Sequence, residues 1–155
     1  MDKKIQIAIA ILVIVDILFA YFVYQKKYGV GDVSRVCFDN DCFAVEIAAT
    51  NSEREKGLMG RQSLGADQGM IFIYDKPGYY SFWMKNTLIP LDIVWLDKDR
   101  RVVFINENTQ PCREDDCPAL TPVIQAQYVF EANAGTAEKI GLQYGDRADI
   151  IWYAE

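Results

Sequence analysis

Apolar and polar positions divide the chain into two unlike parts. Residues 5–24 form one apolar run, broken only by Gln6 and Asp16 and flanked by Lys3, Lys4, Lys26 and Lys27. At about 1.5 Å per residue, a helix of this length spans roughly 30 Å, the hydrocarbon thickness of a bilayer. Thirteen of these residues are Ile, Leu, Val or Phe, and together they favour insertion by several kcal/mol. Asp16 subtracts about 2.5–3.5 kcal/mol on the same scale without reversing the sign. A cleaved signal peptide asks for a shorter apolar core and a small-residue cleavage site, and a buried globular helix asks for a polar face. Residues 1–27 are therefore read as an uncleaved N-terminal transmembrane anchor, 28–32 as a linker and 33–155 as one domain.

Beyond the linker the pattern changes to period two. Phe43, Val45, Ile47 and Ala49 alternate toward one face, the mark of a half-buried strand. Strands are expected at 33–38, 43–50, 69–74, 79–85, 88–97, 101–106, 124–131 and 147–153, with turn residues between them. Pro90 cannot donate to a ladder and marks an edge or a bulge. Thr50 followed by Glu53 spells a capping box, which predicts a helix from Thr50 to about Met59, stopped by Gly60. A second short helix is expected near 136–140, ahead of Gly141. Helical crossovers are missing between most strands, so the pattern predicts a mainly β domain, an antiparallel β-sandwich or barrel with two short helices.

Charge narrows the partners. Residues 1–27 carry four lysines and two aspartates, so removing their +2 from the total of −6 leaves the domain at −8. An acidic body has no electrostatic reason to bind nucleic acid or anionic lipid. The chain has no histidine, which removes Ser-His and Cys-His catalysis and the commonest metal ligand. It also carries no P-loop, dinucleotide fingerprint or EF-hand, and no cofactor is expected.

The four cysteines form two local pairs with the same spacing, Cys37 with Cys42 and Cys112 with Cys117. Asp39, Asn40 and Asp41 make a turn that places the first two sulfurs opposite each other on a hairpin, within disulfide reach. The second pair closes a polar loop before Pro118. Two disulfides put the domain on the extracytoplasmic side, a vote that the balanced lysines around the apolar run do not supply. The rival reading is a four-cysteine zinc site, against which stand the long gap between the pairs and the acidic side chains inside them.

Three fragments are candidates for chemistry. Arg54 and Arg61 lie seven residues apart, so on a continuous helix they would share a face able to clamp a carboxylate or phosphate; the bland alternative is a pair of structural salt bridges. Residues 82–93 combine Phe82, Trp83, Lys85, Asn86, Thr87 and Asp92. That is the composition of a site for a sugar or small polar ligand, and equally of a core with a buried ion pair. Met59, Met70 and Met84 could hold Cu(I) but more commonly fill gaps in a core. Asp67, Asp75, Asp92, Asp97 and Asp99 leave open a carboxylate pair acting on an envelope glycan, since sequence gives no distance between them. A structural or partner-binding module is the third class.

The runs FAVEIAATNSEREKGLMGRQSL at 43–64, GMIFIY at 69–74, FWMKNTLIPLDIVWLD at 82–97 and YVFEANAG at 128–135 resemble, in that order, domain-of-unknown-function family 192, also called uncharacterised protein family 0127. The resemblance covers about residues 35–153. It implies a compact β-rich domain, frequently behind a signal peptide or anchor, and supplies no activity. The first cysteine pair is not a feature it implies.

Overall fold

A computed structural model describes residues 12–19, 33–113 and 116–153. Contacts divide the chain into two units, Met1–Asp32 and Val33–Glu155. In the first, residues 12–19 are helical and exposed. The rest of the run read as an anchor lies outside the described residues, and among those described no helix is long and apolar enough to cross a membrane.

The second unit is one sheet of seven strands. β1 (Arg35–Phe38) and β2 (Asp41–Ala48) form the first hairpin, followed by α1 (Asn51–Lys56) and β3 (Gln68–Gly78). β4 (Leu91–Leu96), β5 (Val102–Thr109), β6 (Ala126–Asn133), α2 (Thr136–Ile140) and β7 (Ala148–Ile151) complete it. The strand order is β5-β4-β6-β3-β2-β1-β7. Every pairing is antiparallel except β2 with β3, where the connection through α1 brings the chain back in the same direction. The two outer strands approach each other at one end. Arg101 bridges Arg147, and Val102 N donates to Asp146 O at 2.8 Å while Gly145 N donates to Val102 O at 2.9 Å. The sheet is thus curled into a half-barrel rather than split into the two layers of a sandwich.

Period two explains how the curled sheet carries two cores. Val36, Phe43, Ile71, Val94, Val102, Phe130 and Ile150 belong to one cluster that draws on all seven strands, as the inside of a curled sheet must. Met70, Phe72, Ile93, Trp95 and Val129 take the opposite parity and form a second cluster on the outer face, covered by Leu58, Phe82 and Met84. β4 serves both faces and is buried at every position.

α1 begins as the capping box requires. Thr50 Oγ1 accepts from Glu53 N at 3.3 Å, and the Glu53 carboxylate accepts from Thr50 N at 2.8 Å and Ala49 N at 3.0 Å. These bonds hold the Glu53 pKa below its ordinary value. The helix stops at Lys56, earlier than Gly60, because Gly57 adopts φ 45° and takes the cap.

Eight strands were expected and seven form among the described residues. Residues 79–90 keep the alternation, with Phe82 and Met84 buried and Trp83 exposed, yet they pair with a loop instead of the sheet. Phe82 bridges Leu120 and Lys85 bridges Cys112. This segment is a strap over the outer face, and Pro90 precedes the point where it joins β4. Cys37 is bonded to Cys42 and Cys112 to Cys117, so each pair closes on itself and the zinc reading falls.

Candidate functional site

Four polar side chains are buried in the described domain: Ser34, Thr87, Asp92 and Glu131. What each of them meets separates structure from site. Ser34 Oγ accepts from Tyr153 N at 3.0 Å. Asp92 accepts from Asn108 N and Ala137 N, both at 2.8 Å, and so satisfies a turn of β5 and the start of α2. Thr87 and Glu131 have no side-chain hydrogen bond among the described residues, and both line one small cleft.

Glu131 reaches that cleft through strand parity. In β6 it pairs with Met70 of β3 and Ile93 of β4, so it stands between two apolar neighbours on the outer face. Burial pushes its carboxyl up to about 8, because the charged form loses hydration with no cation to replace it. Asp92 has the opposite parity, opposite Ala132, and lies outside the cleft.

The cleft holds about 70 Å³ and lies between α1, the strap and the sheet. Phe72, Tyr74 and Glu131 come from the sheet, Arg54 and Glu55 from α1, and Ser81, Trp83 and Thr87 from the strap. Arg54 is the fastener of this assembly. Its guanidinium donates to Ile73 O at 2.8 Å, and also to Ala49 O and Asn51 Oδ1. It lies 4.9 Å from the centre of the Tyr74 ring. Tyr74 stacks on Tyr80, centroids 3.4 Å apart, and burial pushes its hydroxyl up to about 12. Trp83 is 50 % exposed at the cleft, with Lys85 Nζ 5.7 Å from its ring centre.

The remaining expected residues fall elsewhere. Arg61 pairs with Glu46 at the surface and does not share a helix face with Arg54, since α1 ends before it. Asn86 acts through its backbone: at φ 56° its carbonyl accepts from Gly60 N at 2.9 Å and its N–H donates to Cys112 O at 3.2 Å. Of the seven expected ligand residues, Arg54, Trp83 and Thr87 therefore line the cleft, Lys85 flanks it, and Arg61, Asn86 and Asp92 do not line it. Glu131 and Tyr74 also line it without having been among the expected residues. The signal for Glu131 was present, an acidic residue at the apolar parity of YVFEAN.

A larger hollow of about 550 Å³ lies along Met84, Thr109, Gln110, Cys112 and Leu120. None of its described lining residues is a buried polar side chain without a partner.

A curled sheet, a strap over its outer face and a small cleft with a buried carboxyl define a small β domain. Residues 35–150 match the family described as "Uncharacterized ACR, COG1430" (DUF192), and the chain belongs to it. A crystal structure of a protein of unknown function from Novosphingobium aromaticivorans DSM 12444 is similar, with 38% identity and a TM-score of 0.68 over 76% of this chain and 83% of that one. Another, described as a "putative transcription regulator" from Sinorhizobium meliloti 1021, has 33% identity and a TM-score of 0.69 over 76% of this chain and 91% of the other. No curated protein matches the chain.

Proposed function

We propose that this is an extracytoplasmic domain, anchored through residues 1–27, whose cleft takes a hydroxyl group of a small polar ligand such as the sugar end of an envelope glycan. Two disulfides support an oxidising compartment. The observation that carries the ligand reading is that Thr87 and Glu131, both largely buried and with no side-chain hydrogen bond among the described residues, line one cleft. A ligand hydroxyl both donates and accepts, so it can hydrogen-bond to both groups. With its pKa near 8, Glu131 is a neutral acid at pH 7 and can do the same. The niche admits one such group at a time, while the exposed face of Trp83 offers a platform for the rest of a sugar ring.

The test is calorimetric titration of the full chain with glucose, N-acetylglucosamine and their oligomers. Glu131→Gln and the near-isosteric Thr87→Val should each weaken binding about tenfold, the loss of one hydrogen bond, with folding retained. Absence of binding by any of these probes, together with no polyhydroxylated molecule in native mass spectra of protein taken from membranes, refutes the reading.

Glu55, exposed on α1, also lines the cleft, and this favours a second reading as a glycan hydrolase with Glu131 as acid. Release of reducing ends from an oligosaccharide, abolished by Glu131→Gln and by Glu55→Gln, would select it. The regulator description of the Sinorhizobium protein has no counterpart in the chemistry of this domain, whose charge of −8 repels nucleic acid.

A further inference from the structure

We propose that the end of the domain where the chain enters and leaves is a seat for the interfacial layer of a lipid bilayer. This rests on the anchored reading above and adds to it a surface that no cleft residue shares.

β1 and β7 run antiparallel with Arg35 opposite Ile151, so the first residue of β1 and the last of β7 lie side by side. The bond from Tyr153 N to Ser34 Oγ, 3.0 Å, ties the two segments beyond the last rung of the ladder. At this end Val33, Ile151, Trp152 and Tyr153 are exposed by 49, 55, 47 and 42 %. Single exposed apolar side chains are ordinary on any surface. Four from two tied segments, two of them Trp and Tyr, form a different pattern. Trp and Tyr combine an apolar ring with a polar tip and collect at the boundary between hydrocarbon and water.

The position in the chain selects the occupant. The apolar run ends at Tyr24, nine residues before Val33, a tether of at most roughly 30 Å even when fully extended. The covalent chain therefore keeps Val33 within that length of Tyr24. The seat needs no anionic lipid, in keeping with the acidic body.

The experiment uses the full chain reconstituted into phosphatidylcholine vesicles whose acyl chains carry bromine, a short-range quencher of tryptophan. Quenching is expected in the wild type and in Trp83→Phe, and is expected to fall several-fold in Trp152→Phe. Trp95, fully buried, supplies the unquenched background. Protein that floats with the vesicles yet shows equal quenching in wild type and Trp152→Phe overturns the seat alone. Protein that does not float overturns the anchor as well. A dimer in neutral detergent that Trp152→Phe dissociates would assign the surface to a second copy and also overturn the proposal.

Discussion

Thr87 and Glu131 reach one cleft from different layers, Thr87 in the strap and Glu131 from β6, and neither side chain finds a hydrogen bond among the described residues. The fully buried residues of the outer cluster around them are apolar, and a leucine at either position would keep the alternation intact. Two polar groups opening on the same niche are therefore not required by the packing of the outer core. Ser34 and Asp92, equally buried, show how this domain treats polar groups that serve only structure: each is met by backbone N–H groups.

Glu131 makes stability depend on pH in a defined direction. Its carboxyl titrates near 8 in the folded chain against an ordinary 4.5. Between those values the folded state holds a proton that the unfolded state has released, so stability is greatest below the lower value and falls as pH rises toward the upper one. The slope from this group is about 1.4 kcal/mol per pH unit within that window. Urea unfolding of Glu131→Gln across pH 5–8 should lack this component and show a more stable protein than wild type at pH 8. Parallel curves for the two proteins would show that the carboxyl is not buried in solution.

Much of the fold was legible because period two is a direct consequence of burying one side of a strand. The hairpin of residues 35–48, the Thr50 cap and the disulfide pairs all follow from local chemistry. The strap was not legible in that way. Residues 79–85 alternate as a strand does, and only the tertiary partner, Leu120 and Cys112 instead of the sheet, shows that they are a cover. The same limit governed the site. Sequence put Asp92 in the ligand group because a carboxylate in an apolar strand is conspicuous, and the identical signal at Glu131 passed unread. Which of two such carboxylates meets backbone N–H groups and which meets a cleft depends on what packs above each, and that is not local.

Asp92 therefore predicts a stability effect without a binding effect. Asp92→Ala strands the N–H groups of Asn108 and Ala137, and two such buried donors cost roughly 2–5 kcal/mol. Asp92→Asn keeps one acceptor and should lose less. Urea midpoints read the difference, while sugar affinity of the folded fraction should remain that of the wild type. A drop in affinity at unchanged stability would return Asp92 to the ligand site.

The Cys112–Cys117 disulfide should hold the strap in register. Cys112 N donates to Met84 O and Cys112 O accepts from Asn86 N, each at 3.2 Å, and Phe82 and Leu120 exchange bonds of 2.9 and 2.7 Å. Replacing both cysteines by serine frees a short loop, for which about 2 kcal/mol of stability is expected to be lost. Amide exchange should accelerate at Phe82, Asn86 and Leu120 more than in the centre of β3 and β6, where protection reflects the whole sheet. Uniform acceleration would mean that the strap and the sheet open as one unit.

The two arginines once grouped by spacing should separate by experiment. Arg54 satisfies the carbonyls of Ala49 and Ile73 together with Asn51 Oδ1, and it lies over Tyr74. Arg54→Ala removes the links from α1 to Ile73 and Tyr74 of β3 together with the local bonds to Ala49 and Asn51, and should cost about 2–4 kcal/mol, with hydrogen bonds from a charged donor at about 1.5–3 kcal/mol each partly replaced by water. Arg54→Lys should recover only a fraction, because an ammonium cannot reproduce the planar fork. Arg61→Ala breaks an exposed pair with Glu46, for which about 0.2–1 kcal/mol is typical. If Arg61→Ala instead weakens sugar binding as strongly as Thr87→Val, the ligand extends past the strap toward Glu46, and the cleft around Glu131 is only part of its footprint.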